Sequence, residues 1–406
     1  MDEKEIIIAE VRQGLIEKLE YLEETNDESL QRMINESLKE KTREQYISIK
    51  DRQTIARQIF DSMRKLGILE EFIENPDVTE IMINGPKCIF YEKAGRLYKS
   101  DKQFENEETL RNVIQKIVAQ CNRVVNESSP IVDARLSDGS RVNCVLNPIA
   151  LNGPILTIRR FPKRPYLMDD LIAKGSLNAE TALFLQKLVI AGYNILVSGG
   201  TGSGKTTFLN ALSAYIPKDE RIITIEDSAE LQIQGIENLV RMETKNANIE
   251  GVTPITIRDL IKSSLRMRPD RIVVGEVRGA EAMDMICSAM NCGHDGSMST
   301  VHANSAADSI SRLETMILTA APLPLYAIRR QIGSGVDIVI QLGRMRDKTR
   351  KVLEIVELNC IGDDVDINPL FRFVEEDYST EKVSGQLTKV GDLKNDSKLK
   401  AAGICL

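Results

Sequence analysis

The chain has 406 residues, of which 42% are hydrophobic and 28% are charged, and its formal net charge is −7 at pH 7. This length and composition predict about two folded domains with extensions, rather than a disordered or fibrous chain. The negative charge argues against a protein that coats nucleic acid, no apolar run approaches the roughly 18–20 residues that span a bilayer, and no secretory signal is visible.

Residues 1–50 carry apolar side chains at spacings of three and four, which predicts a helical N-terminal extension. The clearest of these positions are Val11, Leu15, Leu19 and Leu22. Two interpretations stay open at this point. The helices either pack on a neighbouring part of the protein or form a mobile arm that docks a partner.

Residues 51–154 change to short mixed elements, which predicts a small α+β domain. The helix-like and strand-like segments are 55–69, 80–84, 88–91, 108–122, 132–136 and 141–146. The last two enclose a Ser-Asp-Gly-Ser turn and predict a β-hairpin. Glycine and proline in the stretch that follows predict a linker over 155–170.

Residues 171–365 alternate apolar strands with helices, which predicts an α/β domain with a mostly parallel sheet. The predicted strands are 195–198, 221–225, 272–275, 296–301 and 336–342. The remaining range, 366–406, is polar and charged. We expect an exposed hairpin and a loose C-terminal tail there.

The most informative segment is Gly-Gly-Thr-Gly-Ser-Gly-Lys-Thr-Thr, which meets the phosphate-loop pattern G-x-x-x-x-G-K-[ST]. Strand, glycine loop and helix follow in the order that this motif requires. Backbone N–H groups then wrap the phosphate oxygens, and the helix N-terminus attracts their charge. We predict an ATPase in which Lys205 reaches the β- and γ-phosphates and the Thr206 hydroxyl ligates Mg²⁺. The predicted nucleotide-binding residues are Gly199, Gly200, Thr201, Gly202, Ser203, Gly204, Lys205, Thr206 and Thr207.

Acidic residues end two of the predicted strands, where α/β proteins build their sites. Glu226 and Asp227 follow one strand, and Glu276 ends another. A carboxylate there can orient or deprotonate the attacking water, although Glu226 or Asp227 could also only cap the next helix. Gly275 stands where many phosphate-loop enzymes have aspartate, so Asp227 or Asp270 is the predicted additional partner of Mg²⁺.

Both histidines of the chain, His294 and His302, lie in one segment rich in glycine, serine and threonine. Their spacing matches no zinc pattern, and the seven cysteines are scattered without a C-x-x-C pair. We therefore predict neither a zinc site nor a disulfide framework. A histidine at a strand end that senses the γ-phosphate is the favoured interpretation.

Taken in order, the phosphate loop, the acidic segment at 225–227, the Gly275-Glu276 strand end and the histidine segment resemble the secretion ATPases of the type II/type IV secretion superfamily. The resemblance runs over about residues 55–365. It implies a RecA-like P-loop domain and a hexameric motor that drives pilus assembly, pilus retraction, secretion or DNA transfer. Longer stretches are most similar to the Tad (Flp) pilus-assembly ATPases of the CpaF type; they are 133–143, 156–161, 256–260 and 265–271.

The resemblance also implies roles for individual side chains. Glu276 would polarise the attacking water, Glu226 with Asp227 would assist in organising water or Mg²⁺, and His302 would report the nucleotide state. Four arginines match segments that approach the phosphates when the N-terminal domain closes; they are Arg135, Arg141, Arg159 and Arg160. Which of them stabilises the γ-phosphate stays open, and surface salt bridges are the alternative interpretation.

The partners that the resemblance implies are further copies of the chain, in a homo-hexamer, and an integral-membrane platform protein. We expect a cytoplasmic protein at the inner face of the membrane that touches the membrane only through partners, with no direct contact to nucleic acid. The four-cysteine zinc site of some relatives has no matching cluster here. Two alternatives remain: a type IV secretion ATPase for DNA or protein transfer, and a nucleotide-gated ring scaffold with little turnover.

Overall fold

The computed structural model describes residues 7, 8, 10, 11, 14, 15, 27–44, 48–64, 66–121, 123–136, 138–161, 164–245, 253–378 and 381–406. The chain divides into two units, Met1–Pro162 and Lys163–Leu406. We call them the N-terminal unit and the C-terminal unit.

The N-terminal unit begins with two long helices, α1 (Asp27–Glu44) and α2 (Ile49–Arg64), which pack on each other. Their apolar positions recur every three or four residues, so each helix buries one stripe. The small core between them holds Ile7, Val11, Leu15, Leu30, Ile34, Leu38, Ile55 and Ile59. Two of the four apolar positions named in the prediction, Val11 and Leu15, are buried here, and Leu19 and Leu22 lie outside the described residues.

A six-stranded antiparallel sheet forms the rest of the N-terminal unit, in the order β3-β2-β1-β6-β5-β4. Its strands are β1 (Val78–Asn84), β2 (Ile89–Lys93), β3 (Arg96–Lys99), β4 (Ile131–Arg135), β5 (Arg141–Val145) and β6 (Ile155–Arg159). The predicted hairpin is confirmed as β4 and β5. The prediction of a linker over 155–170 is wrong at its start, because β6 pairs with both β1 and β5 and alternates buried and half-buried residues.

Two helices complete this unit. After a 3₁₀ turn at Gly67–Leu69, the short α3 (Glu70–Glu74) precedes β1, and α4 (Glu107–Gln120) joins β3 to β4. The Asn106 side chain accepts the Thr109 N–H and caps α4. The apolar face of α4 then covers the sheet with Leu110, Val113, Ile114, Ile117 and Val118.

A nine-stranded sheet organises the C-terminal unit, in the order β15-β14-β13-β12-β7-β11-β10-β8-β9. The six parallel strands are β7 (Ile195–Gly199), β8 (Ile222–Glu226), β9 (Leu239–Glu243), β10 (Arg271–Val277), β11 (Met298–Val301) and β12 (Ile338–Arg344). All five strands predicted in this region are present. The predicted mostly parallel α/β sheet is therefore confirmed.

Helices cover both faces of this sheet, so its central strands are buried throughout. One face carries α5 (Met168–Ala173), α6 (Ala179–Ile190) and α7 (Lys205–Ser213). The other carries α8 (Ile257–Ser264), α9 (Glu281–Met283) with the π-helix Asp284–Met290 behind it, α10 (Ala306–Ala320) and α11 (Leu325–Gly335). Alternate residues of one strand enter different cores, as Leu196 and Val197 show.

The C-terminal range does not form the loose tail that the sequence predicts. The antiparallel strands β13 (Arg350–Ile361), β14 (Asp364–Glu375) and β15 (Gly385–Lys389) extend the large sheet, and α12 (Ser397–Ala401) folds back on it. The few apolar residues here, such as Phe371 and Leu399, are buried in the main core. Glu357 is also buried and accepts the backbone N–H groups of Lys394 and Asn395. The boundary predicted at 365 therefore falls inside β14.

Candidate nucleotide-binding site

The glycine-rich loop connects the end of β7 to the start of α7. A Cβ atom at Gly199 would lie 2.7 Å from the Leu342 carbonyl oxygen, so only glycine fits where the loop leaves the sheet. Gly204 caps α7 with a positive φ of 93°, a conformation that glycine adopts at little cost. The strand, the turn and the helix N-terminus thus have the geometry that wraps backbone N–H groups around an anion.

Lys205, the first residue of α7, places its charged end inside this loop. Its Nζ donates to the carbonyl oxygens of Gly199, at 3.0 Å, and Gly200, at 3.1 Å. Only 7% of the residue is exposed. The ammonium group is therefore held next to the position of the phosphates by the same backbone that would bind them.

A series of close contacts leads from Lys205 to a carboxylate on a different strand. The Nδ1 atom of His302 lies 3.2 Å from the Lys205 Nζ, and its Nε2 lies 2.9 Å from Glu276 Oε1. Burial lowers the pKa of His302, against the opposing charge of Glu276. In the neutral tautomer with its proton on Nε2, Nδ1 accepts from the lysine. The close Nε2–Oε1 contact lacks hydrogen-bond geometry, since Glu276 Oε1 is buried without a hydrogen-bond partner among the described residues.

Glu276 has a second charged neighbour that the sequence analysis did not identify. Arg278 donates from Nη2 to Glu276 Oε2 at 2.8 Å, and its Nη1 lies 3.9 Å from Asp227. Only 18% of the Glu276 side chain is exposed. Glu276 and Arg278 are two residues apart at the end of β10, and this spacing alone does not predict an ion pair. The pair forms because of the path that the backbone takes where β10 ends.

The Glu226 side chain occupies the space beside position 275, where the chain has glycine. Its Oε1 accepts the backbone N–H groups of Glu230 and Leu231, each at 2.8 Å, and its side chain lies over Gly275. A Cβ at Gly275 would be 3.0 Å from Glu226 Cγ, so a larger residue does not fit there unless this carboxylate moves. Burial raises the pKa of Glu226 to about 7, against these two hydrogen bonds.

The predicted metal-binding residues are spread over the sheet. Thr206 is half-buried in the first turn of α7, whereas Asp227 follows β8, three strands from β7 and therefore roughly 14 Å away at the backbone. Asp270 is wrong as a Mg²⁺ partner, because it precedes β10 at the opposite edge of the sheet and accepts the Arg221 N–H. Within the described ranges, no three His, Cys, Asp or Glu side chains come together to hold a metal ion.

Because these candidate ligands lie far apart, they fit Mg²⁺ that binds together with a nucleotide better than a metal ion held by protein side chains alone. Magnesium in such sites keeps several waters and takes one or two protein ligands beside the substrate phosphates. The Thr206 hydroxyl beside the phosphate loop is suited to that task. Asp227 could act only through intervening groups, since it lies beyond β10 and Arg278.

Three of the four predicted arginines form a row in the N-terminal unit. Arg135 pairs with Arg141 across β4 and β5, and Arg141 pairs with Arg159 across β5 and β6. Directly paired residues project from the same face of an antiparallel sheet. The opposite face of these strands belongs to the core. The arginine row, Arg135, Arg141 and Arg159, thus lies on one surface of the sheet, where Glu80 pairs directly with Arg159 across β1 and β6.

Arg160 has a different environment. Its Nη1 donates to the carbonyl oxygens of Phe72, Asn75 and Val78, including one contact of 3.0 Å to Val78. These carbonyls lie around the connection between α3 and β1. The prediction that Arg160 approaches a phosphate is therefore wrong in this structure, because its guanidinium already satisfies the end of α3 and the start of β1.

A cavity of about 490 Å³ opens beside the phosphate loop, within the size range of ligand pockets. It runs along the exposed polar face of α10. Its lining residues are Gly200, Thr201, His302, Ala303, Asn304, Asp308, Ser311, Arg312 and Thr315. The α10 residues were not predicted from the sequence, although Asp308, Ser311, Arg312 and Thr315 recur at helical spacings of three and four.

Known proteins resemble the chain across both units. The family model described as "Type II/IV secretion system protein" matches residues 62–386. A putative conjugal transfer protein of Mycobacterium tuberculosis is 34% identical over 298 residues, which cover 72% of this chain and 84% of that protein. The type IV secretion system protein PtlH of Bordetella pertussis is 32% identical over 316 residues, covering 71% of this chain and 93% of PtlH.

A solved structure of the pilus retraction motor PilT with bound ADP matches with a TM-score of 0.53 and 18% identity, over 83% of this chain and 86% of PilT. At that identity the match supports the fold and nothing further. No helix among the described residues has both the length and the apolar character needed to cross a membrane. The family match and the two relatives confirm the superfamily predicted from the motifs: the chain belongs to the type II/IV secretion system protein family.

Proposed function

We propose that the chain binds ATP with Mg²⁺ at the loop 199–207 and hydrolyses it to ADP and phosphate. The observation that carries this proposal is the contact series Lys205–His302–Glu276, which joins the loop to a carboxylate two strands away. A phosphate-binding cation and a carboxylate able to act on water are thereby held on one side of the loop, as hydrolysis requires.

In this proposal Glu276 orients the attacking water and accepts its proton, while Lys205 stabilises the negative charge of the phosphates. The Thr206 hydroxyl would ligate Mg²⁺, which neutralises phosphate charge when it is bound. His302 contacts both Lys205 and Glu276, so a shift of the lysine toward a γ-phosphate would change its hydrogen bonds. That position suits the predicted sensor of the nucleotide state.

Glu226 is better suited to hold the site than to touch substrate. Its Oε1 fixes the turn after β8, and its side chain supports the strand that carries Glu276. The arginine row supports a separate role for the N-terminal unit in binding an anion. We propose that its charge contributes to phosphate binding in the assembled protein, without assigning one arginine to the γ-phosphate.

At the level of the cell, we propose a homo-hexameric motor at the cytoplasmic face of the membrane. Its partner would be an integral-membrane platform protein, and its work would be assembly or retraction of a Tad (Flp)-type pilus. The support is the similarity of residues 133–143 and 265–271 to pilus ATPases of the CpaF type, together with the family match.

Transfer of DNA or protein by a type IV secretion system is the second candidate. The names of the relatives favour it, since one is a putative conjugal transfer protein and another a type IV secretion system protein. Both candidates use the same ATP chemistry. They differ in the membrane protein that the ATPase would drive.

Phosphate release from Mg²⁺·ATP by the full chain tests the chemistry. We expect Lys205→Ala to lose nucleotide binding and turnover, while Lys262→Ala, which removes an exposed lysine on α8, retains both. ATP binding without measurable release by the unaltered chain would leave a ring scaffold and contradict the proposed hydrolysis. Equal turnover in the two variants would contradict the role of the loop.

Crosslinking in the native cell, followed by mass spectrometry of the captured membrane proteins, separates the two candidates. A pilus platform protein with pilin components supports the pilus motor. Subunits of a DNA-coupling or transfer channel would overturn the pilus proposal and leave the ATPase chemistry unchanged.

A further inference from the structure

The hairpin formed by β12 and β13 brings two arginines to the phosphate loop. Arg350 donates from Nε to the carbonyl oxygen of Gly202 at 3.0 Å. A Cβ at Gly204 would lie 3.3 Å from Arg350 Cδ, and one at Gly202 would lie 3.6 Å from Arg344 Nη1. The Arg350 guanidinium therefore contacts the backbone that would hold a nucleotide, and Arg344 lies beside Gly202.

The register places these two positive charges face to face. Arg344 pairs directly with Arg350 across the two strands, and both residues are exposed. Like charges at directly opposed positions destabilise a strand pair. In the part of the chain that the structure describes, the Nη groups of Arg350 have no hydrogen-bond or ion-pair partner. An anion at this position would offset the repulsion and use those donors.

The order of strands indicates which part of a nucleotide would lie here. In the sheet β7 lies between β11 and β12, with Glu276 and His302 on the side of β11. Hydrolysis requires the γ-phosphate on that side. The α-phosphate and the nucleoside must then leave the loop toward β12, where Arg344 and Arg350 are found.

We propose that Arg350 binds the α-phosphate of ATP and ADP, with Arg344 beside it on the nucleoside side of the loop. The inference rests on the proposed ATP binding at residues 199–207 and adds a second contact to it. The Nε of Arg350 keeps its hydrogen bond to Gly202, and the two Nη groups donate to phosphate oxygens. A guanidinium suits this task because its planar fork matches the geometry of phosphate.

Affinity measurements on the full chain, by calorimetry with ATP, ADP and ATP carrying sulfur in place of a non-bridging α-oxygen, test this contact. We expect Arg350→Ala to weaken ATP and ADP binding at least about tenfold, because the charge-assisted hydrogen bonds from its two Nη groups are lost. Arg350→Lys should recover part of the loss. Arg372→Ala, an exposed arginine of β14 that pairs with Glu354, should bind as the unaltered chain does.

The sulfur analogue keeps the test independent of folding. Sulfur accepts hydrogen bonds more weakly than oxygen, so at least one diastereomer should bind less tightly than ATP to the unaltered chain. This ratio should approach one in Arg350→Ala. A ratio that stays the same in the variant would overturn the α-phosphate contact, even if overall affinity fell.

Different results would overturn the α-phosphate contact and the proposed ATPase function. Full ATP affinity in Arg350→Ala, with affinity lost in Lys205→Ala, would overturn the contact and leave the proposed function intact. No ATP binding by the unaltered chain would overturn the proposed function and this contact together.

Discussion

The two edges of the nine-stranded sheet both bury charged side chains, but they hold them differently. At the edge where the strands begin, charges pair with each other and with backbone groups. At the edge where they end, charges meet beside a cavity, and Glu226 Oε2 is buried without a hydrogen-bond partner among the described residues. Paired charges of the first kind typically stabilise a fold, whereas clustered charges beside a cavity are typical of a binding or catalytic site.

The first edge is built around buried ion pairs. Arg271, only 2% exposed, donates to Glu220 and to the Val189 carbonyl oxygen at 2.6 Å. Lys398 of α12 donates to Asp337 at 2.7 Å, and Asp337 also accepts the Asn194 N–H. Burial raises the pKa of Asp337, and the Lys398 ammonium opposes that shift. These contacts fasten the strand starts and the C-terminal helix together, and none lies near the phosphate loop.

Arg271→Ala should have the largest effect on stability. It would leave Glu220 without its partner and one buried carbonyl unsatisfied, which costs about 3–5 kcal/mol in the free energy of unfolding. The check is the urea midpoint of the full chain, with turnover measured per folded molecule. A folded variant whose turnover fell a hundredfold would contradict the assignment of this edge to stability and of the opposite edge to catalysis.

Glu226→Gln should change how stability depends on pH. The pKa of Glu226 is raised to about 7 from an ordinary 4.5, so the folded state holds the proton more tightly than the unfolded state. Stability from this group is present below pH 4.5 and is lost as pH rises to about 7, by roughly 3 kcal/mol at most.

Urea midpoints at pH 5 and pH 8 measure this effect. The glutamine variant lacks the titration, so its midpoint should fall less between the two values than that of the unaltered chain. The same fall in both proteins would show that the carboxylate is not kept protonated by burial.

Arg160→Ala and Arg159→Ala form a matched pair of neighbouring arginines. Arg160 donates to three carbonyl groups, so its loss should cost about 1–3 kcal/mol of stability. Arg159 is exposed at the end of β6, so its substitution should cost under about 0.5 kcal/mol of stability. Thermal unfolding compares the two, and equal losses would refute the structural role of Arg160. Phosphate release should instead respond to Arg159, if the arginine row binds an anion.

Arg278→Ala should act on turnover, through the position of Glu276. The carboxylate would keep His302 but lose the hydrogen bond from Nη2. We expect kcat to fall about tenfold with KM little changed, because the contact orients the base without touching the substrate. A kcat equal to that of the unaltered chain would limit Arg278 to a surface ion pair.

The sequence predicted the parts of the fold that local patterns determine. The strand, glycine loop and helix around Lys205 follow from residue order, and five of the six parallel strands follow from apolar runs, whereas β9 was not predicted. The sequence predicted an exposed hairpin in the C-terminal range, but not that β13 to β15 extend the large sheet or that Glu357 satisfies the backbone of the last segment. That contact joins residues 37 and 38 positions apart, beyond any local pattern.

Site residues divide in the same way. Lys205, Glu276 and His302 were identified because each has a motif, and the fold brings them into contact. Arg278 and Arg350 have no motif, and their positions depend on a strand end and on the register of β12 with β13. Arg160 differs from Arg159 because it follows the end of β6 and donates to the backbone around α3 and β1, which lies more than 80 positions earlier in the chain.

The most direct test of the account is ATP hydrolysis by Glu276→Gln at saturating Mg²⁺·ATP, with bound nucleotide measured in the same sample. We expect at least about a hundredfold loss of phosphate release, with ATP affinity and the urea midpoint unchanged, because a general base is removed and the loop is left intact. Turnover equal to that of the unaltered chain would contradict the claim that the edge where the strands end carries the chemistry.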